Sequence, residues 1–238
     1  MKRDKFFSFK ENKYEIINDR EVSLIEGDKV AAEVDIPVEV EHMNKKYKVV
    51  TIRKRAFYKC HSLKSVIIPN SVTSIRKHAF SECRNLESVI IPEGVISIGK
   101  YAFFNCTNLT NITIPNSVTF IGKRIFIGCN NLMNINVDSL NPNYCSIDCV
   151  LFNKEQTRLI QYPAGNKRTE YKVPARVTSI DKCAFNRCNN LERIDIQNSI
   201  NFDDPKMFSS CKMLKIMCIE CYVVCMKKNH RWQILPSP

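Results

Sequence analysis

Twelve cysteines, four histidines and a regularly spaced set of lysines are the side chains in this sequence able to act chemically. Six of the cysteines, Cys60, Cys83, Cys106, Cys129, Cys188 and Cys211, stand at one place in a recurring pattern, the first four spaced 23 residues apart. A cysteine attacks or binds metal as its thiolate, and apolar burial raises the thiol pKa and silences it. The residues around these six are apolar, so core packing as a reduced column is expected. Strand spacing of about 4.8 Å would bring neighbouring copies inside the Cα window of a disulfide, but side chains stacked in parallel do not face one another. Cys145, Cys149, Cys183, Cys218, Cys221 and Cys225 form no disulfide framework that spacing assigns. Cys218-x2-Cys221-x3-Cys225 with His230 offers four zinc-ligand types. The usual second cysteine pair is missing and Cys218 already falls on an expected strand, so no metal is assigned.

The histidines lie apart. His61 and His78 take places where other copies of the pattern have Arg84, Thr107, Tyr101 and Arg124, as surface residues do. There is no phosphate loop, no H-E-x-x-H and no G-x-S-x-G, and only 6 glycines are present. No pair of carboxylates is marked for acid–base work. No catalytic residue and no cofactor are expected.

The lysines are more informative. Lys54, Lys77, Lys100, Lys123 and Lys182 share one position, with Arg55, His78, Tyr101 and Arg124 following the first four. The net charge is +12; residues 1–52 hold 10 basic and 11 acidic residues, while residues 53–137 hold 11 basic and 3 acidic. Unit charges about 5 Å apart in water repel by roughly 0.8 kcal/mol before screening. Such a column serves either as a docking stripe for an acidic polymer, an anionic surface or an acidic protein, or as a solvated edge that keeps the chain soluble. Nucleic acid is disfavoured, because Phe and Tyr are mostly committed to the interior and no stacking platform is visible.

These residues recur because the chain itself recurs. IPNSVTSIRKHAFSEC, ending at Cys83, is followed by IPEGVISIGKYAFFNC, ending at Cys106, and by IPNSVTFIGKRIFIGC, ending at Cys129. One copy puts Ala79, Phe80, Cys83, Leu86, Val89, Ile91, Val95 and Ile98 inward, too few to close a core alone, so units must stack. L-x-x-V-x-I at Leu86 to Ile91 alternates as a short strand. Pro92, like Pro69 and Pro115, ends it and is expected at the first central place of a turn. A second extended piece follows at Val95 to Ile98, and Ala79 with Phe80 is expected on a short helical turn. Alternation points Ser65, Ser88, Asn111, Asn134, Arg193 and Ile216 outward in one column, and Ile67, Ile90, Thr113, Asn136, Asp195 and Cys218 in the next. From this face Ser65, Ser88, Asn111, Thr113, Asn134, Asn136, Arg193 and Asp195 are the candidate contacts for a protein or glycan, the alternative being an unused polar sheet face.

The pattern L-x-x-[IV]-x-I-P-x-x-V-x-x-I-x-x-x-A-F-x-x-C resembles the leucine-rich repeats of the BspA-like surface proteins, from about Val34 to Ile219. Ser146 to Gly165 resembles the hairpin insert these proteins often carry, with Cys149 where that insert usually has Gly. The resemblance implies a mostly β leucine-rich repeat solenoid. It would have about six 23-residue units, a parallel strand ladder, short helical turns at the corners, an N-terminal β cap and one hairpin insert. The corresponding divisions are a cap and half repeat over 1–52, repeats over 53–137, the insert over 138–173, repeats over 174–219, and a tail or cap over 220–238. In the last unit Asp203 replaces an apolar residue and should distort the second strand, while Val223, Val224 and Trp232 could cover the open end.

The family also implies a non-enzymatic binding or adhesion module, at the cell surface or secreted. No run of 18 apolar residues spans a bilayer. The start, MKRDKFFSFKENKYE, has too little apolar sequence for a signal peptide. That absence and the unpaired cysteines favour the alternative, an internal structural or scaffolding repeat protein in the cytoplasm.

Overall fold

A computed structural model of the 238-residue chain describes residues 5–196, 208, 210–219, 222–226 and 232–236, the last three strands by their backbone alone. Each coil of about 23 residues contributes two short parallel strands and a corner. In the first ladder Glu33–Asp35, Ser65–Ile67 and Ser88–Ile90 pair in parallel, as do Asn111–Ile114 with Asn134–Val137, and Glu170–Lys172, Arg193–Ile196 and Ile216–Ile219. In the second, Glu21–Glu26, Lys45–Ile52, Ser74–Ile75, Ser97–Ile98 and Phe120–Ile121 run in parallel, and Arg158–Gln161 pairs with Ser179–Ile180 further along. Within the N-terminal cap a hairpin joins Glu39–His42 to Lys45–Ile52, with Met43 and Asn44 left-handed in its turn. At the far end Tyr222–Met226 and Trp232–Pro236 close the first ladder as an antiparallel pair. The side chains of Val223, Val224 and Trp232, the zinc-type set from Cys218 to His230, and Asp203 lie outside the described residues.

The corner differs from the short helical turn expected from the sequence. Successive four-residue turns close it, with Ala79 N–H bonded to Arg76 O and Ser81 N–H to His78 O. Alternate N–H groups there point at the next coil: Arg55 donates to Lys77 O, Phe57 to Ala79 O and Lys59 to Ser81 O, at 2.8–3.3 Å. A third backbone ladder therefore runs up the corners, and helix would have turned those donors inward on the same coil. The prolines also sit one place earlier than expected. Val72, Val95 and Val118 N–H donate to Pro69, Pro92 and Pro115 O, which makes each proline the first residue of its turn.

Inside, Phe57, Phe80, Phe103 and Phe126 stack in file, with ring centroids 5.0, 5.4 and 5.9 Å apart and planes within 17° of parallel. Tyr162, Phe185 and Phe208 continue the file beyond the insert. The cysteine column beside them is buried and unpaired by disulfide. Its thiols do more than fill space. Sγ of Cys83, Cys106, Cys129 and Cys211 donates at 2.9–3.1 Å to the carbonyls of Phe57, Phe80, Phe103 and Phe185, one coil back. Burial pushes the Cys129 thiol up to about 12 and Cys106 well above the ordinary value, so these two thiols are inert as nucleophiles.

The insert divides the interior that the repeat pattern alone would make continuous. Tyr144–Ile147, Val150–Asn153 and Arg158–Gln161 form an antiparallel meander. One buried cluster runs from Tyr14 to Ile135 with Leu151, and a second from Val150 to Leu214. Gly165 follows the meander where a Cβ would meet the Asn131 backbone at 2.5 Å, and its N–H bonds Leu132 O at 2.8 Å. The turn of the first hairpin puts Asp148 and Cys149 at φ of 53° and 69°. A side chain in that region costs about 1–2 kcal/mol. Cys149→Gly should therefore stabilise the fold by about 0.5–1 kcal/mol after glycine's own entropy loss. A Tm higher by about 1–4 °C in thermal denaturation is the expected reading, and a lower Tm would contradict it.

Candidate functional site

The first ladder presents the candidate contact face. Ser65 lies beside Ser88 and Ile67 beside Ile90, and after a break in pairing Asn111 lies beside Asn134 and Thr113 beside Asn136. Alternation along each strand turns these side chains outward while Val66, Val89, Ile112 and Ile135 are buried. The asparagines hold one another: Asn134 Nδ2 donates to Asn111 Oδ1 at 2.6 Å, and Asn111 Nδ2 to Thr110 Oγ1 at 3.0 Å. Where the pairing breaks, a recess of about 310 Å³ opens between Ile90, Glu93, Asn111, Thr113, Pro115 and Asp138.

Arg193 and Asp195 are not brought to this group. The insert turn lies against the edge of Asn134–Val137, with Ile135 N–H bonded to Cys149 O at 3.1 Å and Val137 N–H to Ser146 Oγ at 3.1 Å. Beyond it, Arg193 Nε donates to Asp195 Oδ1 at 2.9 Å, so these two charges engage each other. Ile67 and Ile90, 59% and 74% exposed, are the residues of this face that a search for polar contacts passes over. Their signal in the sequence is an apolar residue on the outward side of a strand.

The lysine column occupies the corner edge. Lys54, Lys77, Lys100, Lys123 and Lys182 are exposed, and among the described residues none forms an ion pair. The residue after each of the first four, Arg55, His78, Tyr101 or Arg124, is left-handed, with φ between 57° and 63°. That turn aims each N–H at the next coil: Arg55, His78 and Tyr101 donate to Lys77, Lys100 and Lys123 O at 3.1–3.3 Å. Side chains on the column also stack. His78 lies on Tyr101 at 4.9 Å, Lys100 Nζ stands 5.0 Å over the same ring, and Arg124 Nη1 donates to the Tyr101 hydroxyl at 2.8 Å. Partial burial, reinforced by Lys77 and Arg55, holds His78 below its ordinary pKa. It is neutral at pH 7, and the positive charge of this edge belongs to lysine and arginine.

Among the described residues no group of His, Cys, Asp and Glu is placed to hold a metal ion, and no helix is long and apolar enough to cross a membrane.

The family model for the BspA type leucine-rich repeat region, in six copies, matches residues 50–172 and 143–229. Among solved structures, a leucine-rich repeat protein from Eubacterium ventriosum is similar with a TM-score of 0.61 at 21% identity, over 89% of this chain and 70% of its own. The pneumococcal vaccine antigen PcpA is similar at 0.60 and 19%, over 90% of this chain and 69% of its own. A leucine-rich repeat protein from Bacteroides capillosus is 30% identical over 57% of this chain and 100% of its own, with a TM-score of 0.53. The first two likenesses are of fold alone. No curated protein matches the chain.

Proposed function

Because this chain belongs to the BspA-type leucine-rich repeat family, we propose that it is a non-enzymatic binding module whose first-ladder face contacts a protein or glycan at a cell surface. The observation that carries this reading is the Ile67–Ile90 pair, adjacent in register and more than half exposed, with Ile90 at the rim of the 310 Å³ recess. Apolar side chains held on a rigid sheet lose little entropy on contact, and a few such anchors supply most of the energy of an interface. Asn111, Thr113 and Asn136 beside them supply hydrogen-bonding groups without charge.

The test is surface plasmon resonance against a panel of purified matrix proteins and sulfated glycans, comparing wild type with Ile67→Asp/Ile90→Asp. A partner bound by wild type should lose about thirtyfold or more in affinity, the value of a 2 kcal/mol anchor, with Tm unchanged. Affinity that survives the double change removes the ladder face from the contact.

The unpaired charge of the lysine edge favours a second contact, with an acidic polymer. Retention on heparin should fall in Lys54→Ser/Lys77→Ser and weaken with salt in wild type. Salt-independent retention would reject it.

A further inference from the structure

The insert coil shortens the lysine corner. Between the second strand and the spine ring a regular coil has four residues, Arg76 to Ala79 between Ile75 and Phe80, or Asp181 to Ala184 between Ile180 and Phe185. In the insert coil Leu159 pairs in register with Ile180, and Tyr162 stacks on Phe185 with its N–H on Ala184 O. Only Ile160 and Gln161 lie between them. The corner is short by two residues, and the column position between Lys123 and Lys182 is left without a lysine.

A cavity of about 380 Å³ fills the gap, lined by Lys100, Lys123, Arg124, Gln161, Lys182 and Cys183 among others. Asp181 also borders it, but Arg158 holds that carboxylate through Nε and Nη2 at 2.7 and 2.8 Å. Four cations thus line the cavity against one carboxylate already engaged. The backbone adds to the imbalance. In the preceding coils the left-handed residue donates its N–H to the lysine carbonyl one coil on, and the shortened corner removes that carbonyl for Arg124. Among the described residues no backbone carbonyl accepts from the Arg124 N–H. Gln161, 4% exposed, donates through Nε2 to Tyr162 O and Ala184 O, both at 2.9 Å, which fixes its carboxamide in the wall.

We infer that this recess binds a tetrahedral oxyanion ester, a sulfate or phosphate group carried on a sugar-sized molecule. Such a group offers several acceptor oxygens to cationic donors that line the cavity from three coils, and Arg with Lys is the pairing that charge-assisted oxyanion binding uses. The volume lies within the range of small-molecule sites, about 300–1,000 Å³, and is too small for a folded partner. The site deepens the lysine-edge reading and rests on the unpaired charge of that edge, but it fails separately. A polymer can dock along Lys54 and Lys77 while the recess takes nothing.

Cys183 lines the cavity as a half-buried free thiol and reports its occupancy. The experiment follows alkylation of Cys183 by iodoacetamide, a neutral reagent, through peptide mass spectrometry, with half-buried Cys149 as the internal control. The probes are glucose 6-phosphate, a heparin-derived sulfated disaccharide and inorganic phosphate. At ten times its half-protecting concentration, one of the two esters should slow Cys183 about tenfold and leave Cys149 unchanged, as mass action requires. The protecting ester identifies the source of the oxyanion. Lys123→Ser/Arg124→Ser should abolish protection at that concentration while Tm is retained, and Lys182→Ser, on the facing coil, should weaken it about tenfold. Failure of both esters to protect, protection that persists in the double variant, or equal protection by inorganic phosphate would each overturn the proposal. Loss of heparin retention in Lys54→Ser/Lys77→Ser with Cys183 protection intact would concern the outer edge alone.

Discussion

Phe103→Ala is expected to lower the stability of the fold by about 3–5 kcal/mol, the range for removing a buried phenyl ring from a packed core. Phe103 has no exposed surface and lies between Phe80 and Phe126, at 5.4 and 5.9 Å. Truncation leaves a void with a ring on each side, and neither neighbour can move in without leaving its own coil's backbone ladder. Because each coil touches mainly its neighbours, the loss weakens two interfaces at once. Denaturant unfolding measures the effect. Phe120→Ala is the control, since that ring is mostly exposed and its loss should stay within about 0.5 kcal/mol. Equal midpoints for the two variants would show that the file of rings does not carry the stack.

Asn141→Ala is expected to cost about 3 kcal/mol or more, and to loosen the insert before the rest of the chain. Asn141 is fully buried. Its Nδ2 donates to Pro115 O at 2.7 Å and Val118 O at 3.0 Å, one coil back. Its Oδ1 accepts from the N–H groups of Asn143 and Tyr144, at 2.9 and 2.8 Å. Alanine leaves four backbone groups without that partner, and each buried group so stranded costs about 1–3 kcal/mol where water cannot replace it. Tyr144 is positioned by this turn, and its hydroxyl oxygen accepts from Ile121 N–H at 2.8 Å. The loss should therefore spread to the second ladder. Limited proteolysis should show earlier cleavage near exposed Leu140, alongside a lower unfolding midpoint. A variant as stable and as resistant as wild type would mean that the insert is held by its own hairpins.

The outward columns illustrate how far repetition carries. Phe57, Phe80, Phe103 and Phe126 recur at one place in sequence and pile in one file in space, because each coil sets the same residue on its predecessor. Lys54, Lys77, Lys100 and Lys123 line the corner for the same reason, as do Ser65 and Ser88 on the ladder. Arg193 and Asp195 share the periodic place of Ser88 and Ile90, yet pair with each other beyond the insert. Equivalent position did not guarantee a common surface. Periodicity says which way a side chain points, and not what a non-repeating segment places beside it.

From its sequence alone this protein's architecture is determined: the 23-residue period dictates inward and outward residues, the parallel ladders, the cysteine column and the lysine edge. Tertiary structure alone decided the thiol bonds from Cys83, Cys106 and Cys129 to carbonyls 26 residues earlier, the clasp at Asn141, the division of the interior, and the recess at Gln161. The physical reason is that a repeat encodes its own coil locally. Contacts between a repeat and an interruption are set through space, by which backbone groups remain unpaired once the shorter corner is in place.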